Sequence, residues 1–218
     1  MSENQEYDEH EEVECNECML DLETLGTRPG SAVVSIGAVM FNREQSYVGP
    51  TFYQAISLEN LIDVFGFAVS GSTIRFWLQQ EDAARNELFK DTINVNAALM
   101  EFARFVTDSH EGGVDKELQV WGNGAAFDNV LLREMYERMH LQPPWAFWND
   151  RCYRTIKNER DKGKNLAPNV ASGNVHHKAL DDALWQTYHL LNMDAGYRKF
   201  DEIVDGRAQL EMQLESND

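Results

Sequence analysis

The chain has 218 residues, 43% of them hydrophobic, which fits one globular domain able to build its own core without disulfide or metal staples. Asp and Glu outnumber Lys and Arg by 37 to 19, a formal charge of −18 that argues against a protein coating nucleic acid by neutralising its phosphates. No apolar run approaches the ~20 residues that cross a bilayer, no basic-then-apolar leader opens the chain, and three cysteines are too few for a disulfide framework. A soluble, cytoplasmic protein is therefore expected.

Residues 1–14, MSENQEYDEHEEVE, carry seven acids and no Lys or Arg, the composition of a disordered arm that keeps the protein soluble or recruits a basic partner. A short strand is expected over 17–22. The Arg28-Pro29-Gly30 turn leads into a β-branched stretch, SAVVSIGAVMFN, read as a strand over 31–42, and a third strand is expected over 47–58. Three strands this close predict an antiparallel meander. The period then changes. Ser72-Thr73 can cap a helix running through IRFWLQQ and on through EDAARNELF, and a second helix over 94–108 spaces Ala98, Leu99, Phe102 and Phe105 on one stripe. A short strand is expected over 117–121, then a helix over 127–139 with Phe127, Leu131, Met135 and Met139 aligned, stopped by Pro143-Pro144. A short strand over 145–150, a helix over 152–160 and a helix over 179–193, burying Leu180, Ala183, Leu184, Thr187 and Leu191, complete the pattern. Residues 1–14 thus read as an arm, 15–195 as the domain and 196–218 as an acidic terminal segment. A meander followed by alternating helices and strands is an α/β domain with a mixed sheet flanked by helices.

The chemistry is carried by acids. Asp21 and Glu23 close the first strand, and residues at i and i+2 of a strand lie on one face. Two adjacent carboxylates repel unless a cation sits between them, and hard divalent ions such as Mg²⁺ and Mn²⁺ take carboxylate oxygens. Asp128 follows the Gly122-Asn123-Gly124 loop at the start of a helix, where it would also complement the helix dipole. In HHKALDDALWQ, residues 176–186, a His and an Asp five positions apart turn about 500° around a helix. They converge only if the His precedes the helix, where it can act as a general base. Each feature alone suits a solvated surface. Together, four acids can hold two divalent ions roughly 4 Å apart, and a His can deprotonate the water that cleaves a phosphodiester. Cys15 and Cys18 form a C-x-x-C, but no second pair completes a four-ligand zinc site, so they read as structural.

These motifs resemble those of the DEDDh 3′-5′ exonucleases on the ribonuclease H-like fold. Asp21-Leu22-Glu23-Thr24 is similar to the family's D-x-E-T, Asn123 through Phe127-Asp128 to its second motif, and His177-Lys178-Ala179-Leu180-Asp181-Asp182-Ala183 to H-x-A-x-x-D-A. His176 with Asp181 has the same spacing, but only the 177/182 register puts alanines where the family has them. The likeness covers roughly residues 17 to 193 and is nearest to phage-type members, such as the exonuclease of T-even bacteriophages, through STIRFW and FWNDRCYRT. Cys152 departs from the acid expected two residues before Arg154-Thr155.

The resemblance implies that Asp21, Glu23, Asp128 and Asp182 bind two Mg²⁺ or Mn²⁺ and that His177 is the base. It further implies that Thr24 and Leu25 meet the 3′-terminal nucleotide and that Asn123 belongs to the substrate site. Phe76 and Trp77 stack on bases or pack into the core, and Arg154 meets a phosphate or pairs with an acid. The implied partner is the 3′ end of single-stranded nucleic acid, DNA or short oligonucleotides in the first place and RNA as the alternative. A bacterial host cytoplasm is implied if a phage encodes the chain, and a homodimer is open because relatives dimerise. A nuclease-like binding protein without turnover is the rival of a different class.

Overall fold

The computed structural model describes residues 13–110, 117–161, 168 and 177–196. The acidic arm up to residue 12, His176, and the terminal segment from 197 onward lie outside them.

A five-stranded sheet organises the chain in the order β3-β2-β1-β4-β5. The strands are β1 (Glu17–Thr24), β2 (Val33–Asn42), β3 (Tyr47–Ala55), β4 (Gln119–Gly122) and β5 (Asp150–Cys152). The first three form the expected antiparallel meander, while β4 and β5 join parallel on the other side of β1. This is a ribonuclease H-like mixed sheet. The helices are α1 (Gly71–Leu78), α2 (Asp82–Glu87), α3 (Val95–Asp108), α4 (Asp128–Arg138), α5 (Tyr153–Arg160) and α6, over 179–196. Among the described residues, no helix is long and apolar enough to cross a membrane.

β1 is buried on both faces, because helices cover the sheet on both sides. Its even-numbered residues Cys18, Leu20 and Leu22 join the larger core with Val34, Ile36, Ala38 and Met40 of β2 and the inner stripes of α3 and α4. Met19 faces the other way, into a smaller core with Val39, Phe41, Trp121, Tyr153 and the α6 residues Ala183, Leu190, Leu191 and Met193. Strand alternation therefore fixes the face on which Asp21 and Glu23 stand: they continue the row of Met19, on the side of α6.

β2 leaves room for α6 there. Gly37 pairs with Asp21 across the antiparallel ladder. A Cβ on Gly37 would lie 2.2 Å from the carbonyl carbon of Ala179, so only glycine lets the first turn of α6 lie on the sheet at this position.

Two element expectations are corrected. The helix read through 72–89 breaks into α1 and α2. Arg85 Nη1 turns back to donate to the Leu78 carbonyl at 3.1 Å, satisfying an acceptor at the end of α1. The strand expected over 145–150 is a 3-10 turn, Phe147–Asn149, and the strand begins at Asp150. The Asp150 carboxylate gathers donors from Trp145, Asn129 and Arg133, and this knot holds the turn ahead of the strand.

Candidate active site

The sheet delivers the acids from three places. Asp21 and Glu23 end β1. A register shift between Glu23 and Thr24 marks an irregularity of the ladder at this point. Asp128 opens α4, which follows β4 through a tight loop. The amides of Phe127 and Asp128 both donate to the Gly124 carbonyl, at 2.7 and 3.2 Å. Gly122 ends β4 and pairs with Leu20. A Cβ on it would sit 2.4 Å from Asn129 Oδ1 and 3.0 Å from Asp128 Cβ, so the missing side chain is what lets α4 come close to the sheet. Asn129 Nδ2 then ties α4 to the Val120 carbonyl at 2.8 Å. Asp182 comes from the first turns of α6.

The side chains converge. One ligand atom each from Glu23, His177 and Asp182 lies within 4.8 Å of the other two. The Asp21 carboxyl is pushed well above its ordinary range, first by burial and then by the charges of Asp128, Glu23 and Asp182. Glu23 is pushed up to about 8 by burial and by Asp182 and Asp128. Asp128 is raised to about 7 by burial, against hydrogen bonds to backbone and the charge of Arg154. Asp128 Oδ2 is buried with no hydrogen-bond partner among the described residues. An all-oxygen donor set whose members raise one another's proton affinity fits hard divalent cations, because a cation between the acids relieves both the repulsion and the desolvation.

His177 occupies the turn just before α6, the position its spacing from Asp182 requires. Its φ of 65° is left-handed, unusual for a residue with a side chain. Neighbours hold it there. Phe76 and Trp77 set their rings edge-on to the imidazole, with centroids 5.1 and 6.2 Å away. The next residue, Lys178, pairs with Glu87 at 3.6 Å and lies over the Tyr53 ring.

The residues expected to meet substrate divide. Phe76 is 40% exposed beside His177, whereas Trp77 is 5% exposed and belongs to the larger core. Its Nε1 donates to the Thr24 carbonyl at 2.9 Å, which fits the second of the two readings for Trp77, packing into the core, better than base stacking. Leu25 is also a core residue, and its backbone is used by Ala32 and Ser70. Thr24 is buried. Thr24 is the last residue of the acid-bearing strand and Leu25 the one after it. Arg154 Nη2 donates to the Asn123 carbonyl at 2.6 Å, which places the guanidinium on the loop before Asp128. Cys152 begins the helix that carries Arg154. Burial raises its thiol, but hydrogen bonds to Thr155 and Ala125 and the Arg154 charge outweigh this and lower it. Cys15 and Cys18 are both buried free thiols, and burial pushes Cys18 up to about 12.

Sequence reasoning missed Gln186, whose Nε2 donates to Asp21 Oδ1 at 2.7 Å. The available signal was its spacing, four residues past Asp182 on one helix.

The family model described as the 3'-5' exoribonuclease Rv2179c-like domain matches residues 16–193. No curated protein matches the sequence. Among solved structures, the nuclease domain of 3'hExo, a DEDDh family member bound to rAMP, superposes with a TM-score of 0.56 at 14% identity, over 82% of this chain and 92% of that one. The zinc-bound E. coli ExoI–ssDNA complex gives a TM-score of 0.59 at 13% identity over 93% of this chain, which spans only 45% of that one. Exonuclease X with 5′-overhanging duplex DNA gives 0.52 at 14% identity, over 83% and 92%. At such identities these likenesses establish the fold.

Proposed function

The chain belongs to the Rv2179c-like 3'-5' exoribonuclease domain family, and from that premise we propose that it hydrolyses the terminal phosphodiester at the 3′ end of single-stranded nucleic acid with the help of divalent metal ions. The observation that carries the reading is that ligand atoms of Glu23, His177 and Asp182 gather within 4.8 Å of one another, while the charges of Asp128, Glu23 and Asp182 bear on the buried Asp21 carboxyl.

The four carboxylates would hold two Mg²⁺ or Mn²⁺. When bound, such ions stabilise charge on both the attacking and the leaving oxygen of an in-line displacement. His177 takes the proton from the attacking water. The new bond joins that oxygen to phosphorus, the bond from phosphorus to the 3′ oxygen breaks, and that oxygen takes a proton from solvent water as it leaves, becoming the new 3′ hydroxyl. The released product is a nucleoside 5′-monophosphate. Phe76, exposed beside His177, offers an edge or face to the terminal base. Arg154, on the Asn123 loop, supplies positive charge next to Asp128.

The family's description favours RNA, and the DNA-bound exonuclease neighbours support the second reading, DNA of short length. The charge of −18 supports brief engagement of short chains over tracking along long ones. The three free cysteines support a reducing, cytoplasmic setting.

Paired 5′-labelled RNA and DNA oligonucleotides, incubated with Mg²⁺, Mn²⁺ or EDTA, test the proposal. A ladder shortening from the 3′ end, abolished by EDTA and by Asp21→Ala, is expected, with RNA the faster substrate. Intact oligonucleotides with every metal would favour a binding protein without turnover. Degradation that survives Asp21→Ala would move the chemistry away from these acids.

A further inference from the structure

We infer that Gln186 is a positioning residue that orients Asp21 for cation binding, an inference that rests on reading Asp21, Glu23, Asp128 and Asp182 as the cation-binding acids. Gln186 lies one helical turn past Asp182, so the two side chains leave α6 from the same face toward the end of β1. It is 3% exposed. Its Nε2 donates to Asp21 Oδ1 at 2.7 Å.

An ionised carboxylate only accepts hydrogen bonds, so the amide nitrogen is the end of Gln186 that suits Asp21. The bond fixes the rotation of the carboxylate and occupies Oδ1, which leaves Oδ2 free to ligate. Partners of this kind orient ligands and tune them, and their loss weakens metal sites.

A second observation separates this role from packing. Gln186 Oε1 is buried with no hydrogen-bond partner among the described residues. A buried amide with one end unsatisfied is a poor space-filler, and an apolar side chain of the same length would fill the site without that loss. The helix is also held so that the contact is kept. Gly37, opposite Asp21, admits its first turn, and Asp194 near its other end is gripped by Arg43 and Arg160. Asp21 thus sits between β2 and α6, with Gln186 as its donor from the helix.

The test uses the full chain. Mn²⁺ is titrated calorimetrically into wild type, Gln186→Met and Gln186→Asn, each variant is melted in EDTA, and oligonucleotide turnover is measured. Met keeps the length and removes the donor; Asn keeps the amide one methylene short of Asp21. The expected result is melting in EDTA at or above the wild-type temperature for Gln186→Met, a loss of Mn²⁺ affinity of about 10–100-fold, and a fall in kcat with KM for the oligonucleotide held. A lowered melting temperature with wild-type Mn²⁺ affinity and kcat, or failure of both variants to fold, would make Gln186 a packing residue and overturn the inference. Wild-type protein that binds no Mn²⁺ would overturn the reading of the acids, and this inference with it. Mn²⁺ binding that is lost in Asp182→Asn but unchanged in both Gln186 variants would overturn the role of Gln186 alone.

Discussion

Phe76 and Trp77 are neighbours in α1 and serve different ends. A sequence of two aromatics offers no sign of which one is packed; the tertiary partner of the indole nitrogen decides it, and that partner is the Thr24 carbonyl, 53 residues away. The acids were easier to read, because strand alternation and the spacing of His177 from Asp182 are local properties of the chain. Gln186 was legible only in part: its spacing from Asp182 places it on the same helix face, but its role comes from the Asp21 carboxylate opposite it. Glu17 shows the same dependence at the other end of β1. It is 6% exposed, accepts from Trp121 Nε1 at 2.6 Å, and is pushed up to about 7, chiefly by burial, with Arg43 opposing. Its folded affinity for a proton exceeds the ordinary one, so its contribution to stability is complete below about pH 4.5 and is lost as pH rises through about 7. Glu17→Gln should therefore melt with wild type at pH 5 and above it at pH 8, by on the order of 1–3 kcal/mol. Thermal melts of both proteins at the two pH values check this, and a stability difference that does not change with pH would refute it.

At the scale of elements, α6 brings most of the site together. It carries Asp182 and Gln186, begins beside His177 and ends in the Asp194 grip. Its apolar stripe predicted that it would be buried, and five of its expected inward positions, Leu180, Ala183, Leu184, Thr187 and Leu191, are buried or half-buried. The polar members of the buried face, Gln186, His189 and Asp194, fall outside a hydrophobic pattern and were invisible to it. The mixed sheet was legible from the meander and the later alternation of strand and helix. The break between α1 and α2 was not, because it depends on Arg85 reaching back to Leu78. Gly37 is the point where strand and helix meet. Gly37→Ala sets a methyl group against the Ala179 backbone, 2.2 Å from its carbonyl carbon, so α6 must move away from β2. The expected outcome is a stability loss of about 1–3 kcal/mol with a larger fall in nuclease activity than in secondary structure. Circular dichroism, melting and turnover of the variant measure this, and full activity at wild-type stability would show that α6 does not depend on this approach.

The whole molecule sets a strongly acidic chain against an anionic substrate. The charge of −18 makes sense if the substrate is engaged at its end and the acids at that point are balanced by cations. The fold supplies the arrangement: β1 ends between α4 and α6, and carboxylates from all three meet there. The central claim is that this meeting point holds divalent metal. The most direct measurement is anomalous diffraction from crystals of the full chain grown with Mn²⁺. The account predicts two peaks, roughly 4 Å apart, bonded to Asp21, Glu23, Asp128 and Asp182. Ordered carboxylates with no peak between them, or Mn²⁺ bound elsewhere on the surface, would contradict it.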